Sequence, residues 1–449
     1  MNEPIETDDA PVAAYPALRA SVPTWARIAA LSFGGPAGQI AVMQRILVDE
    51  KRWISQQRFL HALNFCMLLP GPEATQLATY VGWLMHRWRG GLVAGGLFVL
   101  PGFLAILGLS ISYALWRDAP VIAGILFGIK PAVLAVVVEA LIRIGRRALH
   151  GRVAVGIAAA AFVAIYVFAV PFPLIVLGAA AAGLGASRLG VPLARTFADD
   201  GTHPPGRPSL LLAGRTAALW LAIWWLPVAL MWLALGGAHT LVREAVFFSK
   251  AAVVTFGGAY AVLAYIAQEA VETFGWLRPG EMLDGLGLAE TTPGPLIMVT
   301  EFVGFMGAFR NPAPFSPLVA GVLGAVVTTW VTFVPCFLWI FTGAPYVEYL
   351  RGRPALSASL AAITAAVVGV VLNLSVWFAV HTLFARTLVV RAAGMQMAVP
   401  RLETVNWPAV AITALSFVLL FRLRLGMLQT LGIAALAGAA WTLLAAGTT

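Results

Sequence analysis

The sequence has few charged residues, very few lysines and only two cysteines. Charged residues make up 11% of its 449 residues, whereas hydrophobic residues make up 60%. A soluble domain has about 25% charged residues and under about 50% apolar residues, so this chain carries more apolar surface than it can bury inside itself. The composition therefore excludes a soluble globular protein and predicts a membrane protein with many spanning helices.

Missing motifs exclude further classes of protein. There is no G-x-x-x-x-G-K-[ST] motif for nucleotide binding, no CxxC pair and no HExxH motif. Cys66 and Cys336 lie in apolar runs and are predicted to be small core residues. The net charge of +9 comes mainly from arginines spread over the gaps between apolar runs, which suits membrane loops better than a nucleic-acid surface. We expect no cofactor, no metal site and no nucleic-acid partner.

Apolar segments of membrane length fill most of the chain. Each is near the ~20 residues that a spanning helix needs. The thirteen segments cover residues 24–48, 59–85, 90–116, 119–142, 150–169, 171–187, 209–235, 240–268, 282–309, 316–343, 354–384, 406–421 and 424–447. We therefore predict an all-α polytopic membrane protein with about 13 transmembrane helices.

The two halves of the chain repeat one another. SFGGPAGQIAVM at 32–43 matches TFGGAYAVLAYI at 255–266, and the PGP triplet at 70–72 recurs at 293–295, in the same register. Over residues 33–72, 11 of 40 positions are identical without a gap. The first copy begins at segment one and the second at segment eight, so corresponding helices should run in opposite directions. This arrangement is the inverted repeat of many secondary transporters.

The repeat divides the chain into four predicted parts. They are a cytoplasmic N-terminal tail (1–23), a first repeat domain (24–187), a polar linker with an extra transmembrane helix (188–235) and a second repeat domain (236–449). Arginines in the gaps slightly favour a cytoplasmic N-terminus and a periplasmic C-terminus.

The repeated motifs predict broken helices. Pro72 lacks an N–H and would clash within a continuing helix, but a new helix can begin there. Glu73 then lies in the first turn, where the helix dipole stabilises a carboxylate by ~0.3–1 kcal/mol. The second copy has Leu296 at that position and Thr292 as a cap, so its N-terminus is the better place for an anion. Non-helical backbone at membrane depth is tolerated where it is packed in protein or lines a cavity.

These breaks define the candidate site. Paired glycines allow close backbone approach or a nest of N–H groups for an oxyanion. The candidate substrate-binding and translocation residues in the motifs are Phe33, Gly34, Gly35, Pro70, Gly71, Pro72, Phe256, Gly257, Gly258, Thr292, Pro293, Gly294 and Pro295. Helix packing by small residues is the alternative explanation for the glycines.

Charged residues within apolar runs are costly and point to function. Glu73, Glu290, Glu301 and Glu139 are candidates for proton coupling or gating. Lys130, Lys250 and Arg45 are candidates for attracting an anion. For Lys250 and Glu301, a position at the membrane interface is the alternative.

The duplicated FGG and PGP motifs, with PGPEATQLATYVGWLMH and ETTPGPLIMV, resemble those of the chromate ion transporter family in its long two-domain form. The resemblance covers residues from about 24 to 445. It implies a bacterial inner-membrane secondary transporter that exports chromate and confers chromate resistance. It also implies that membrane potential or a proton gradient drives transport, with sulfate as a related anion.

Other functions remain open at this point. The chain could transport sulfate or another tetrahedral oxyanion, in either direction, because chromate and sulfate share charge and shape. A polytopic membrane enzyme would need a clustered acid, histidine or metal motif, and the sequence has none. A scaffold without transport would not explain the charged residues beside the broken helices. We therefore expect a transporter rather than an enzyme. Its partners would be the anion and the lipid bilayer, with a homodimer left open.

Overall fold

The described residues fold into sixteen α-helices, several short 3-10 and π-helical turns and one β-hairpin. The computed structural model describes residues 15–33, 35–67, 69–190, 193, 209–256, 259–278, 280–346, 354–392 and 395–446. The helices of the first half are α1 (Leu18–Leu31), α2 (Gly35–Gln44), α3 (Gln56–Cys66), α4 (Glu73–Trp116), α5 (Pro120–Ala148), α6 (Arg152–Tyr166) and α7 (Phe172–Arg188). The others are α8 (Leu210–Leu235), α9 (Thr240–Val254), α10 (Ala259–Gln268), α11 (Glu281–Thr291), α12 (Val299–Arg310), α13 (Pro317–Gly343), α14 (Pro354–Leu383), α15 (Trp407–Phe417) and α16 (Met427–Ala446).

The chain is an integral, multi-pass, almost entirely helical membrane protein. Among the described residues, 6 helices are long and apolar enough to cross a membrane: α4, α5, α8, α13, α14 and α16. Three shorter apolar helices cover residues 152–166, 172–188 and 407–422. Thr387–Ala392 and Met395–Pro400 form an antiparallel β-hairpin that the sequence analysis did not predict. Each strand has 6 residues, which is far shorter than a membrane-length apolar segment.

Four of the thirteen predicted segments are not single helices. Residues 24–48, 59–85, 240–268 and 282–309 each contain two shorter helices on either side of a break. The helix α3, with 11 residues, extends about 16 Å, roughly half of a ~30 Å hydrocarbon core. The length of an apolar run does not distinguish one spanning helix from two half-length helices, so the sequence predicts a single span at each of these places.

In the first half, both broken segments turn back on themselves. Arg58 near the start of α3 donates to the Tyr15 hydroxyl at 3.3 Å, and His86 Nε2 lies 2.6 Å from Pro16 O. His86 interrupts α4, where it and Arg87 are non-helical, so α4 has a short arm (73–85) and a long arm (88–116). The outer ends of α3 and of the short arm therefore meet, and PGP forms the tip of a hairpin.

The α1–α2 pair also forms a hairpin. Arg27 on α1 makes a 2.7 Å ion pair with Glu50, which ends the π-helical turn after α2. A straight continuation through the break would separate residues 27 and 50 by about 35 Å. The chain must therefore reverse direction between α1 and α2.

The second half contains the same two hairpins. Arg310 at the end of α12 pairs with Glu281 at the start of α11 at 2.8 Å, with the PGP tip between them. His239, just before α9, lies 2.8 Å from Ala313 O, and Arg310 also donates to Trp276 O at 2.7 Å. The outer ends of both second-half hairpins therefore lie together.

The two pairs of hairpins open at opposite ends of the long arm of α4. This arm begins beside His86 and is about 43 Å long at 1.5 Å per residue. It ends at Arg117, which pairs with Glu281. We call the end near Pro16 and His86 the first end, and the end near Arg117 and Glu281 the second end. The tips of all four hairpins lie between the two ends.

The halves are interlocked around the hairpins. The first-half helix α5 packs against α15 and α16 of the second half, and α14 packs against α6 and α7 of the first half. Left-handed backbone recurs at equivalent positions of the repeat, as in Gly71 (φ +126) and Gly294 (φ +106). The same is true of the equivalent pair Arg52 (φ 51) and Gly275 (φ 65). The repeated sequence thus folds into repeated local geometry.

Candidate functional site

Backbone hydrogen bonds between the halves join the hairpin tips. The Gly71 N–H donates to Thr255 O at 2.7 Å, and the Gly294 N–H donates to Ser32 O at 2.9 Å. Gly71 and Gly294 are equivalent positions of the repeat, and so are Ser32 and Thr255. Each PGP tip is therefore bound to the FGG break of the other half. We call this crossed contact, formed by residues 32–33, 35, 69–72, 255–256 and 292–295, the tip junction.

The shared geometry of the two breaks begins with their hydroxyl residues. Ser32 Oγ donates to Ile28 O at 2.6 Å, and Thr255 Oγ1 donates to Ala251 O at 2.7 Å. These bonds satisfy carbonyls that the ended helices α1 and α9 leave free. The side chains close the helices, and the backbone carbonyls of the same residues remain available to the opposite tip.

Glycine is required at the tips for two reasons. Gly71 and Gly294 have φ values of +126° and +106°, which L side chains rarely adopt. A Cβ on Gly294 would lie 2.8 Å from the Gly102 Cα, and one on Gly71 would lie 3.3 Å from the Cys336 Sγ. The Gly294 tip thus packs against α4, and the Gly71 tip packs against α13. Each of these is a long helix of the opposite half.

Two glutamines hold the tip carbonyls. Gln39 on α2 donates to Gly294 O at 2.6 Å, and Gln76 on α4 donates to Pro70 O at 2.7 Å. Both side chains are buried. The equivalents of these glutamines in the second half are apolar, Val262 and Val299. Sequence reasoning missed them, although a polar residue shortly after each break was a usable signal.

The junction is tightly closed. A cavity beside the contact between the first PGP tip and the second FGG break has a volume of about 10 Å³ and is lined by Pro72, Thr255, Thr300 and Thr332 among other residues. This is enough for about one water molecule. A tetrahedral oxyanion is larger and does not fit this cavity.

Glu290 and Tyr260 form a buried pair beside the junction. The Tyr260 hydroxyl donates to Glu290 Oε1 at 2.5 Å, and Oε2 has no partner among the described residues. A Cβ on Gly35 would lie 4.0 Å from the same hydroxyl. The charges of Arg143 and Glu139, which pair with each other at 4.0 Å on α5, act on Glu290. The structure thus brings Glu290 and Glu139 into one region.

The other two predicted carboxylates lie apart from that pair. Glu73 is partly buried at the first residue of α4 and makes no side-chain hydrogen bond or ion pair with the described part of the chain. Glu301 on α12 is 0% exposed, and neither carboxylate oxygen has a hydrogen-bond partner within the described ranges. A position of Glu301 at the membrane interface is therefore wrong, because this side chain is enclosed by protein.

The predicted basic residues lie outside the junction. Arg45 and Lys250 are exposed, and Arg45 pairs with Glu50 at 3.6 Å. Lys130 pairs with Asp284 at 3.2 Å on the side of the second end. Thr292 caps the end of α11, with its hydroxyl donating to Ala289 O at 3.1 Å. Gly34, Gly257 and Gly258 lie outside the described residues.

Sequence reasoning also missed a buried ionic network at the second end. Glu281 accepts hydrogen bonds from Arg310 and Arg117, and Asp284 accepts from Tyr113 at 2.8 Å in addition to pairing with Lys130. Burial by itself would raise the pKa of Glu281, which lies at the outer end of α11. The bonds from Arg310 and the Arg278 N–H, with two guanidinium charges, instead hold that pKa below its usual range. Tyr113, Arg117 and Lys130 belong to the other half of the chain, so no local pattern could reveal these pairs.

These features define a polytopic membrane protein whose two similar halves cross at broken helices. The chromate transporter family matches residues 21–184 and 242–439, and the chain belongs to this family. The match confirms the resemblance given by the FGG and PGP motifs.

Individual relatives agree with the family match. The chromate transport protein of Pseudomonas aeruginosa is 32% identical over 366 residues, which cover 80% of each chain. The chromate transport protein of Cupriavidus metallidurans is 28% identical over 79% of this chain and 80% of its own length. The probable chromate transport protein of Synechococcus elongatus is 27% identical over 77% and 80%. No solved structure matches. Because the relatives are transport proteins, the prediction that the chain is not an enzyme is confirmed.

Proposed function

We propose that this protein is a secondary active transporter that exports chromate from the cytoplasm across the bacterial inner membrane and confers chromate resistance. Family membership and three relatives named for chromate transport support the substrate. The tip junction is the observation that supports the mechanism, because it joins four broken segments from two halves by only a few hydrogen bonds.

The junction is the proposed translocation point. Broken helices at the interface of two repeats form the substrate site in many secondary transporters. Here the backbone N–H groups of Gly71 and Gly294 are donors at the breaks, each bound to a carbonyl of the opposite half. When the tips separate, both N–H groups become free to bind an oxyanion. Anion binding would thus replace the bonds that close the junction.

The membrane potential favours export of a dianion. A double negative charge that leaves a cell negative inside gains about 4.6 kcal/mol per 100 mV. Concentrative uptake would need the symport of more than two positive charges. The absence of a nucleotide-binding motif is consistent with this route, since export of this ion needs no ATP.

We also propose that the halves have inverted topology, with the first end cytoplasmic and the second end periplasmic. The contacts of Arg58 and His86 at one end of the long arm of α4, and of Arg117 at the other, support this proposal. The four re-entrant hairpins then leave nine crossings, so the C-terminus is periplasmic. The repeat domains keep the predicted boundaries, 24–187 and 236–449, with α8 between them.

Glu290 and Glu73 are the proposed coupling residues. Glu290 is buried beside the junction with one free carboxylate oxygen among the described residues, and Glu73 opens the helix that follows the first PGP tip. A carboxylate in such a position can bind and release a proton as the tips move. Glu139 and Glu301 remain proposals for gating.

Chromate flux into everted membrane vesicles tests this function. We expect energised uptake that collapses with a proton ionophore and is lost in Gly35→Leu, because Gly35 has a φ of +68°. Glu290→Gln and Glu73→Gln should lose the ionophore-sensitive flux, whereas Glu403→Gln, an exposed carboxylate outside the tip junction, should retain it. Flux of sulfate without flux of chromate would contradict the substrate while leaving the junction as the site.

A further inference from the structure

The buried ionic network at the second end connects both halves. Arg117 follows α4 and Lys130 lies on α5, whereas Glu281 and Asp284 lie on α11. Arg310 at the end of α12 makes two 2.8 Å hydrogen bonds to Glu281. Glu281 and Asp284 are 4% and 2% exposed. The network therefore fastens the outer end of the α11–α12 hairpin to first-half helices.

The charges in the network are nearly balanced. Three basic side chains, Arg117, Lys130 and Arg310, face the carboxylates of Glu281 and Asp284. Asp118, with a side chain 92% exposed, also pairs with Arg117 at 3.4 Å. Tyr113 donates the remaining hydrogen bond to Asp284. If one buried partner is lost, another charge is left uncompensated. The network therefore holds the α11–α12 hairpin and the first-half helices α4 and α5 together as a unit.

The contacts at the first end differ from this network. In the register of the repeat, Arg58 and His61 occupy the positions of Glu281 and Asp284. Arg58 donates to Tyr15 there, His86 contacts Pro16, and Arg27 and Glu50 form a pair that is partly exposed. The two pseudo-equivalent ends are therefore closed by different chemistry.

We propose that the Arg117, Lys130, Arg310, Glu281 and Asp284 network is the gate that closes the pathway at the second end. Its bonds must part before the α11–α12 hairpin can move away from α4 and α5. This movement withdraws the Gly294 tip from Ser32 and opens the junction towards that end. The inference rests on the proposed transport function, but the gate can be tested without transport.

Thiol accessibility of the junction tests the gate. Thr332 lines the junction cavity, so Thr332→Cys, in a chain with Cys66→Ala and Cys336→Ala, reports access to it. A membrane-impermeant thiol reagent is applied separately to right-side-out and everted vesicles. Asp118→Cys, at an exposed position, identifies the orientation in which the second end faces the reagent.

Glu281→Gln should raise the rate of labelling from that side by about tenfold, within the range of typical coupling between sites. Lys130→Met with Asp284→Leu should do the same and keeps the fold, because replacing both partners with apolar side chains leaves no buried charge unpaired. The control is Glu50→Gln at the partly exposed Arg27–Glu50 pair, which should leave the rate unchanged.

The gate is refuted if the double variant, purified as a folded protein, labels within about twofold of its parent from the side of the second end. The double variant decides the matter even if Glu281→Gln does not fold. Because labelling requires no chromate, an absence of chromate flux in the parent would refute the proposed function and leave the test of the gate intact.

Discussion

At the scale of single residues, the tip glycines combine two structural constraints. Gly294 combines a φ of +106° with a Cβ position 2.8 Å from the Gly102 Cα. The obstacle is backbone rather than a flexible side chain, so neither element can adjust without moving the tip. Gly71 has a similar φ, but the atom nearest to its Cβ position is Gln76 Nε2, the end of a flexible side chain that can shift by giving up its hydrogen bond to Pro70 O.

We predict that Gly294→Ala lowers stability by about 1–3 kcal/mol from backbone strain and reduces chromate flux more than Gly71→Ala does. Gly96→Ala is the control, because Gly96 is exposed and nothing lies within 4 Å of its Cβ position. The measurements are the thermal midpoint in detergent and the flux per folded protein. Equal flux in the Gly294 and Gly96 variants would remove the junction from the mechanism.

At the scale of elements, half-length helices from one repeat hold the tips of the other. Gln39 on α2 donates to Gly294 O, and it is 1% exposed. Because this bond joins α2 to the α11–α12 hairpin, it has to break when the tips separate. The same applies to the two backbone bonds between Gly71 and Thr255 and between Gly294 and Ser32.

We predict that Gln39→Met destabilises the closed junction by about 1–3 kcal/mol, because it leaves the Gly294 carbonyl buried without a donor. The same change at Gln44, whose contact with Gln56 is exposed, should have little effect. Labelling of Thr332→Cys in the background without native cysteines measures the opening. A Gln39 variant that labels no faster than the Gln44 variant would show that this bond does not help to close the tips.

At the scale of the whole molecule, the hairpins of the two halves open at opposite ends of the long arm of α4. The proposed nine crossings and four re-entrant hairpins give the same relative inversion as the predicted thirteen spans. Each half loses two spans, an even number, so the first and second copies still have opposite orientation. The inversion predicted from the repeat is therefore the same whether the chain crosses the membrane nine or thirteen times.

We predict that cysteines at Lys51 and Thr273 lie on opposite sides of the membrane. Both positions are exposed and adjoin the equivalent π-helical turns Arg45–Glu50 and Glu269–Thr273. In a chain without native cysteines, an impermeant maleimide should label Thr273→Cys in intact cells with a permeabilised outer membrane. It should label Lys51→Cys in everted vesicles. Labelling of both from the same side would contradict the inverted arrangement.

The sequence alone determined the class, the repeat and the family. Composition excludes a soluble fold, because apolar surface on this scale needs lipid around it. The FGG and PGP motifs located the breaks, because proline and glycine act on local backbone conformation. Gly71 and Gly294 are where the sequence placed them and have the backbone that only glycine adopts readily.

Tertiary structure decided which distant groups meet. That each break is a reversal rather than a kink depends on contacts such as Arg27 with Glu50 and Arg310 with Glu281. That Lys130 binds Asp284 depends on the packing of α5 against α11. Local patterns report the conformation of a few neighbouring residues, whereas ion pairs and crossed tips arise only when helices far apart in the chain pack together.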